Sequence, residues 1–256
     1  MPVPRTAAFP PSGDASASRA GEGLAALAGL APSAVLQRRL ERAAPLLPAL
    51  ETRPDIDCPG WAALLDAVTV GETRLFRAAP QLLALRGLMP GLPGRPLRLL
   101  SAGCSSGEEA WSLALLAEGA GIEAEVLGLD INRSALAAAA AGRYPAGPPD
   151  ALREVPAPLR PRFQLADGWV LPGAARPPAF LRANLLAPPP GLGRFGAILC
   201  RNVLIYLLPT ARDTILRDLA GRLLPGGALL LGPTEFPGPD LPLRPEPGVH
   251  GVWRRL

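Results

Sequence analysis

The stretch LRLLSAGCSSGEEAWSLA, Leu97 to Ala114, limits the possible folds more than any other part of the chain. An apolar strand that ends in a glycine turn and runs straight into an amphipathic helix is the opening unit of a layered α/β domain. The pattern then repeats. Ala124 to Leu129 reads as a strand, Arg133 to Ala141 as an Ala-rich helix, and Phe180 to Ala183 and Ala197 to Cys200 as further strands. Thr210 to Leu224 reads as a helix and Ala228 to Leu231 as a strand. Repeated units of this kind predict a mostly parallel, Rossmann-like sheet with helices on both faces. The Pro-rich stretch from Tyr144 to Pro178 carries no clear periodicity, and there is no internal repeat.

Upstream the texture differs. Met1 to Gly23 is Pro, Ser, Ala and Gly with few large apolar residues, which predicts a flexible tail over 1–23. From Ser33, the residues Leu36, Leu40, Ala43 and Leu47 share one helical stripe while Arg38, Arg39 and Arg42 project elsewhere. A second short helix is expected over Trp61 to Val68. The expected organisation is therefore a small helical N-terminal domain over 24–68 and the α/β domain over 69–256.

Composition removes several chemistries. All 26 basic residues are arginine, so any P-loop, kinase site or pyridoxal Schiff base that needs a lysine amine is excluded. His250 is the single histidine, which argues against HExxH zinc sites and Ser-His-Asp or Cys-His nucleophile systems. The three cysteines, Cys58, Cys104 and Cys200, form no CxxC pair and read as reduced cysteines of a cytoplasmic protein, and no metal site is expected. No apolar run approaches the roughly 20 residues of a membrane helix, and the N-terminus has no signal core. The net charge of +4 is carried by dispersed arginines without a nucleic-acid-binding motif.

The glycine turn points to chemistry. Gly103 and Gly107 allow a ligand to approach the backbone closely at the carboxyl end of the first strand, where a nucleotide-type cofactor belongs. Asp130 ends the second strand, where a carboxylate accepts hydrogen bonds from ribose hydroxyls. Glu108 and Glu109 stand where a dinucleotide would place its pyrophosphate, and two carboxylates there repel phosphate. They would attract the α-ammonium and sulfonium of S-adenosylmethionine, or they only stabilise the helix N-terminus. Asn184 and Asn202 each follow a predicted strand, as cleft amides or as turn-forming residues. Tyr206 is either a reactive-site phenol or a core aromatic.

Seven segments in collinear order, TVGETRLFR, SAGCSSGEE, GLDIN, GRY, ANLL, ILCRNVLIYL and LLPGG followed by TE, resemble the CheR family of chemotaxis methyltransferases over Val68 to Glu235. That resemblance implies a class I methyltransferase sheet behind a small all-α domain. It also implies transfer of a methyl group from S-adenosylmethionine to glutamate side chains of a chemoreceptor's cytoplasmic helical bundle or a related signalling protein. Carried over, Thr73, Arg77, Gly103, Glu108 or Glu109, Asp130, Asn184 with Leu185, and Asn202 with Val203 would hold the cofactor. Tyr206 and an arginine, Arg77 or Arg86, would face the methyl acceptor. The basic helix carrying Arg38, Arg39 and Arg42 would guide an acidic receptor bundle, or is a plain solvated face.

Three departures from the family pattern set further expectations. Gly71 stands where the family often has Asn, which predicts one fewer side-chain contact to the cofactor. The family's frequent GHSE reads GPTE at Gly232 to Glu235. Between Phe163 and Phe180, where some members carry a β-subdomain that docks a receptor's C-terminal peptide, the chain is short and Pro-rich, which argues against docking by that route. The alternatives are a catalytically silent regulatory module of the same fold and an NAD-dependent oxidoreductase. Glu108, Glu109 and the missing third glycine of GxGxxG disfavour the oxidoreductase.

Overall fold

A computed structural model describes residues 15–256. Its helices are α1 (Ala15–Ala28), α2 (Ala34–Arg42), α3 (Pro59–Val68), α4 (Ala79–Leu88), α5 (Glu108–Gly119), α6 (Arg133–Ala141) and α7 (Pro209–Arg222). The strands are β1 (Leu97–Ala102), β2 (Ala124–Asp130), β3 (Tyr144–Pro145), β4 (Phe163–Ala166), β5 (Trp169–Pro172), β6 (Ala179–Arg182), β7 (Phe195–Cys200), β8 (Leu223–Leu231), β9 (Leu243–Pro245) and β10 (Val252–Arg255).

Seven strands form one sheet in the order β6-β2-β1-β7-β8-β10-β9. β10 runs antiparallel to both of its neighbours, and every other pairing is parallel. This is the α/β, class I methyltransferase sheet that the resemblance implies. β1 and β7 are the central strands, and alternation along them sorts side chains to the two faces. Leu99, Ala197 and Leu199 join the core under α4 and α5, whereas Leu100, Ile198 and Cys200 join the core under α7.

A third core lies in the N-terminal helices, where Leu36, Leu40, Ala43 and Leu47 are all buried as their stripe predicts. The tail expectation needs correction, because α1 starts at Ala15; residues 1–14 lie outside the described residues. Ala20 and Leu24 are fully buried, and Gly23 lets the Trp61 ring sit where a Cβ would fall 2.0 Å from it. Burying a leucine is worth about 1.5–3 kcal/mol, enough to offset part of the ordering entropy that composition alone suggested would win.

The Pro-rich stretch also carries strands. β5 pairs antiparallel with both β3 and β4 to give a separate three-stranded sheet. The stretch is unreadable in the sequence because strands of two to four residues are too short to show alternation, yet Val170 is fully buried against the core under α5.

The helical unit is tied to the sheet's carboxyl edge by polar contacts. Asn184 Nδ2 donates to the Leu27 carbonyl at 2.6 Å, Ala31 N to the Tyr206 carbonyl at 2.8 Å, and Leu208 N to the Gly29 carbonyl at 2.8 Å. Arg133 pairs with Asp66 at 2.7 Å, and Asn132 Nδ2 donates to Thr69 Oγ1 at 2.8 Å. These contacts place the end of α1, the turn after it, α3 and the segment after α3 over the strand ends.

Candidate functional site

A cleft opens where β1 lies between β2 and β7, the point at which strand order reverses and ligands bind in open α/β sheets. Its floor is the turn after β1. Gly103 N and Cys104 N both donate to the Leu129 carbonyl at 2.8 Å, which folds the turn back over β2. Gly103 has φ +77°, and a Cβ there would lie 2.5 Å from Val203 Cγ2, so only glycine fits. Gly107 has φ +88° and begins α5.

Asp130 is fixed at both oxygens. Ser105 N donates to Oδ2 at 2.7 Å and Asn132 N to Oδ1 at 2.9 Å. Burial pushes its carboxyl above the usual range, and these backbone donors oppose the rise. Each oxygen keeps a lone pair that can accept from a diol. Beside it the Ser105 hydroxyl is buried and has no hydrogen-bond partner among the described residues.

Glu109 and Glu108 part company here. Glu109 lines the cleft, with Oε1 accepting from Ser101 Oγ at 2.7 Å and Oε2 from Arg201 Nε at 2.7 Å. Glu108 does not line it; its carboxylate accepts from Ser106 Oγ at 2.8 Å, and burial raises its carboxyl. Successive helix positions point about 100° apart, so one of two adjacent glutamates must turn away. Arg86 also falls outside. Its Nη2 donates to the Gly119 carbonyl at 2.6 Å, at the end of α5 remote from the turn, about 18 Å along the helix. The expectation that Glu108 contacts the cofactor or Arg86 faces the acceptor is not supported by where they lie.

The other expected residues meet in the cleft: Thr73, Arg77, Asn184, Leu185, Asn202, Val203 and Tyr206 all line it. The Asn184 side chain is occupied, donating to Leu27 and accepting from Leu186 N at 3.0 Å. Asn202 stands in the left-handed region at φ +59°. Its amide N donates to Glu235 Oε2 at 2.8 Å, as does Gly232 N. Glu235 also accepts from Ile205 N, next to Tyr206. Arg77 donates to the Glu72 carbonyl at 2.7 Å.

Two residues escaped the sequence reading. Arg201 and Glu235 are 8% and 4% exposed and anchor the cleft from behind. The available signal was a charge at the end of the apolar run ILC and a Glu three positions past the end of the apolar run ALLLG, since buried charges are almost always partnered. The GPTE departure keeps the two working positions: a Cβ at 232 would lie 2.6 Å from Glu235 Oε2, while Pro233 and Thr234 are exposed. At Gly71, a Cβ would lie 3.3 Å from the orphan Ser105 Oγ.

The donor set fits an adenosyl amino acid. There is a carboxylate for a diol, a second for an ammonium, an unpaired hydroxyl, and apolar Ile131, Leu185 and Val203 along the cleft for a planar ring. Glu109 at the start of α5 disfavours a pyrophosphate there.

Comparison with known proteins gives concordant findings. The family described as CheR methyltransferase, SAM binding domain, matches residues 72–237. The chain is 34% identical to chemotaxis protein methyltransferase 1 of Pseudomonas aeruginosa over 200 residues, 67% of this chain and 68% of that protein. It is 34% identical to chemotaxis protein methyltransferase 1 of Vibrio cholerae over 188 residues, 68% of this chain and 67% of the other. The probable biofilm formation methyltransferase WspC of Pseudomonas putida is 35% identical over 186 residues, 68% of this chain and 43% of its own length.

Proposed function

The chain belongs to the CheR family and is an S-adenosylmethionine-dependent methyltransferase; from that premise we propose that it methylates glutamate side chains of a chemoreceptor or related signalling protein, giving γ-methyl esters. When bound, S-adenosylmethionine supplies an electrophilic methyl group on a sulfonium, and its departure leaves a neutral thioether. The residues of this chain do the holding. Asp130 would accept from the ribose hydroxyls, Glu109 would take the ammonium, and Thr73, Leu185, Asn202 and Val203, which line the same cleft, would complete the contacts.

The observation that carries the acceptor assignment is that Arg77 and Tyr206 line the same cleft, whose described lining holds no histidine. A glutamate carboxylate is already ionised at neutral pH, with a pKa of about 4.3, so no base is needed. Arg77 and the Tyr206 phenol would orient its two oxygens, leaving one lone pair free for in-line attack on the methyl carbon as the carbon–sulfur bond breaks. Arg38 and Arg42 of α2 are exposed, while Arg39 is committed to the Thr69 carbonyl at 2.8 Å. The exposed pair would steer an acidic bundle toward the cleft.

The test is incubation with methyl-labelled S-adenosylmethionine and receptor cytoplasmic fragments. The reading predicts label on glutamate that mild base releases as methanol. Base-stable label, or none on any fragment while the cofactor binds, contradicts it.

A further inference from the structure

Arg201 contributes to the cleft without being one of the residues that the family resemblance assigned to it. Its side chain is 3% exposed and 2.7 Å from Glu109 Oε2 through Nε. Its Nη1 donates to the Arg77 carbonyl at 2.9 Å and to Gln81 Oε1 at 3.2 Å. Gln81 in turn donates through Nε2 to the carbonyl of Leu231, at the end of β8, at 2.9 Å. One guanidinium therefore grips a carboxylate on the cofactor side and the backbone of the arginine on the acceptor side.

The second grip holds an unusual loop. Phe76 and Ala78, the two neighbours of Arg77, both have φ +56°, a region that side chains with a Cβ rarely adopt. Phe76 N is held by Ser112 Oγ at 2.9 Å and Ala78 N by Glu154 Oε2 at 3.0 Å. The carbonyl between them is held by Arg201. Arg201 thereby adds a side-chain grip to a loop otherwise closed by Arg77 N on the Arg74 carbonyl at 3.2 Å and Gln81 N on the Ala78 carbonyl at 3.0 Å.

We propose that Arg201 is a positioning residue that sets Glu109 for the cofactor and Arg77 for the acceptor at the same time, coupling the two half-sites through one planar fork. The proposal rests on the functional reading above. A lysine could satisfy only one of the two grips, because a compact ammonium lacks the fixed geometry of the guanidinium. That makes the two grips separable.

The experiment measures S-adenosylhomocysteine affinity by calorimetry, and KM and kcat with receptor fragment, for wild type, Arg201→Lys, Arg201→Met and the double variant Arg201→Met/Glu109→Gln. Wild-type binding of S-adenosylhomocysteine checks the functional reading on its own, and its absence fells that reading and the proposal with it. Given wild-type binding, Arg201→Lys should keep cofactor affinity within about threefold yet raise acceptor KM about tenfold. Arg201→Met should weaken both by about tenfold or more. The double variant removes both buried charges, so it should remain folded even if Arg201→Met does not, and should still show the raised acceptor KM. A double variant with wild-type acceptor KM, or a lysine variant that loses both properties equally in folded protein, overturns the proposal.

Discussion

The two walls of the cleft are held by opposite means. On the sheet-edge wall, Asp130, Glu109, Arg201 and Glu235 each engage at least two partners inside the protein, at distances between 2.7 and 3.3 Å. Facing it, the lip formed by residues 69–77 offers Thr73 and Arg77 from a loop whose backbone passes through the left-handed region on either side of Arg77. One wall is preorganised by buried hydrogen bonds. The other flanks its key arginine with two left-handed residues, at a strain of about 1–3 kcal/mol each, and is held in place by contacts from other elements; on the first wall Ser105 at φ +50° and Asn202 at φ +59° are likewise left-handed. On the proposed reading the hydrogen-bonded wall carries most of the cofactor contacts, and the lip adds Thr73 to them and presents Arg77 to the acceptor.

The largest expected effect separates the walls outright. Arg77→Ala should lower kcat/KM for receptor fragment by about a hundredfold, in line with the loss of a charge-assisted contact, while S-adenosylhomocysteine affinity changes by only a few fold. A comparable loss in both would merge the two walls into one functional unit. Next in size is a pH effect on the rigid wall. Burial raises the Asp130 carboxyl, so its protonation begins above the ordinary carboxylate range, and affinity for S-adenosylhomocysteine should fall as pH is lowered toward that raised value. Calorimetry across pH should show this decline in the wild type and a flat, weak profile for Asp130→Asn.

Smaller effects sharpen the comparison. Among the described residues, Ser105 carries the one cleft hydroxyl that is buried without a partner. If it donates to the cofactor, Ser105→Ala should weaken S-adenosylhomocysteine binding by about three- to tenfold, the worth of a single hydrogen bond. Unchanged affinity with raised thermal stability would instead mark the hydroxyl as a tolerated defect. Ala78→Gly should relieve left-handed strain of about 1–2 kcal/mol against a glycine entropy cost of about 0.5–1 kcal/mol. The net expectation is a rise in melting temperature of about 1–3 °C. A fall would show that the lip is not strained.

The same contrast explains what could be read from the residues. The central sheet was legible because β1, β2 and β7 are apolar runs and Gly103 and Gly107 punctuate the first turn. Asp130 and Asn202 could be placed because they sit at strand ends, which topology sends to one edge. Arg201 and Glu109 are 92 positions apart, and their pairing follows only from β1 and β7 lying side by side in the sheet. Glu108 and Glu109 could not be ranked because Ala110 to Ala117 are buried all round α5, which leaves no amphipathic stripe to fix the rotation of the helix about its axis. α1 was hidden because its packing depends on a glycine, Gly23, against an indole 38 residues away in chain order, Trp61. β3, β4 and β5 were hidden by brevity and by proline, which obscure a period of two.

The most direct test of the account is a calorimetric titration with S-adenosylhomocysteine of the wild type and Asp130→Ala, with NAD as the parallel ligand. The account predicts saturable one-to-one binding of S-adenosylhomocysteine to the wild type, loss of that binding in the folded variant, and no binding of NAD. Undiminished binding to the variant would contradict the placement of the cofactor at the carboxyl edge of β2, and binding of NAD in its place would contradict the reading of Glu109 as the group that excludes a pyrophosphate.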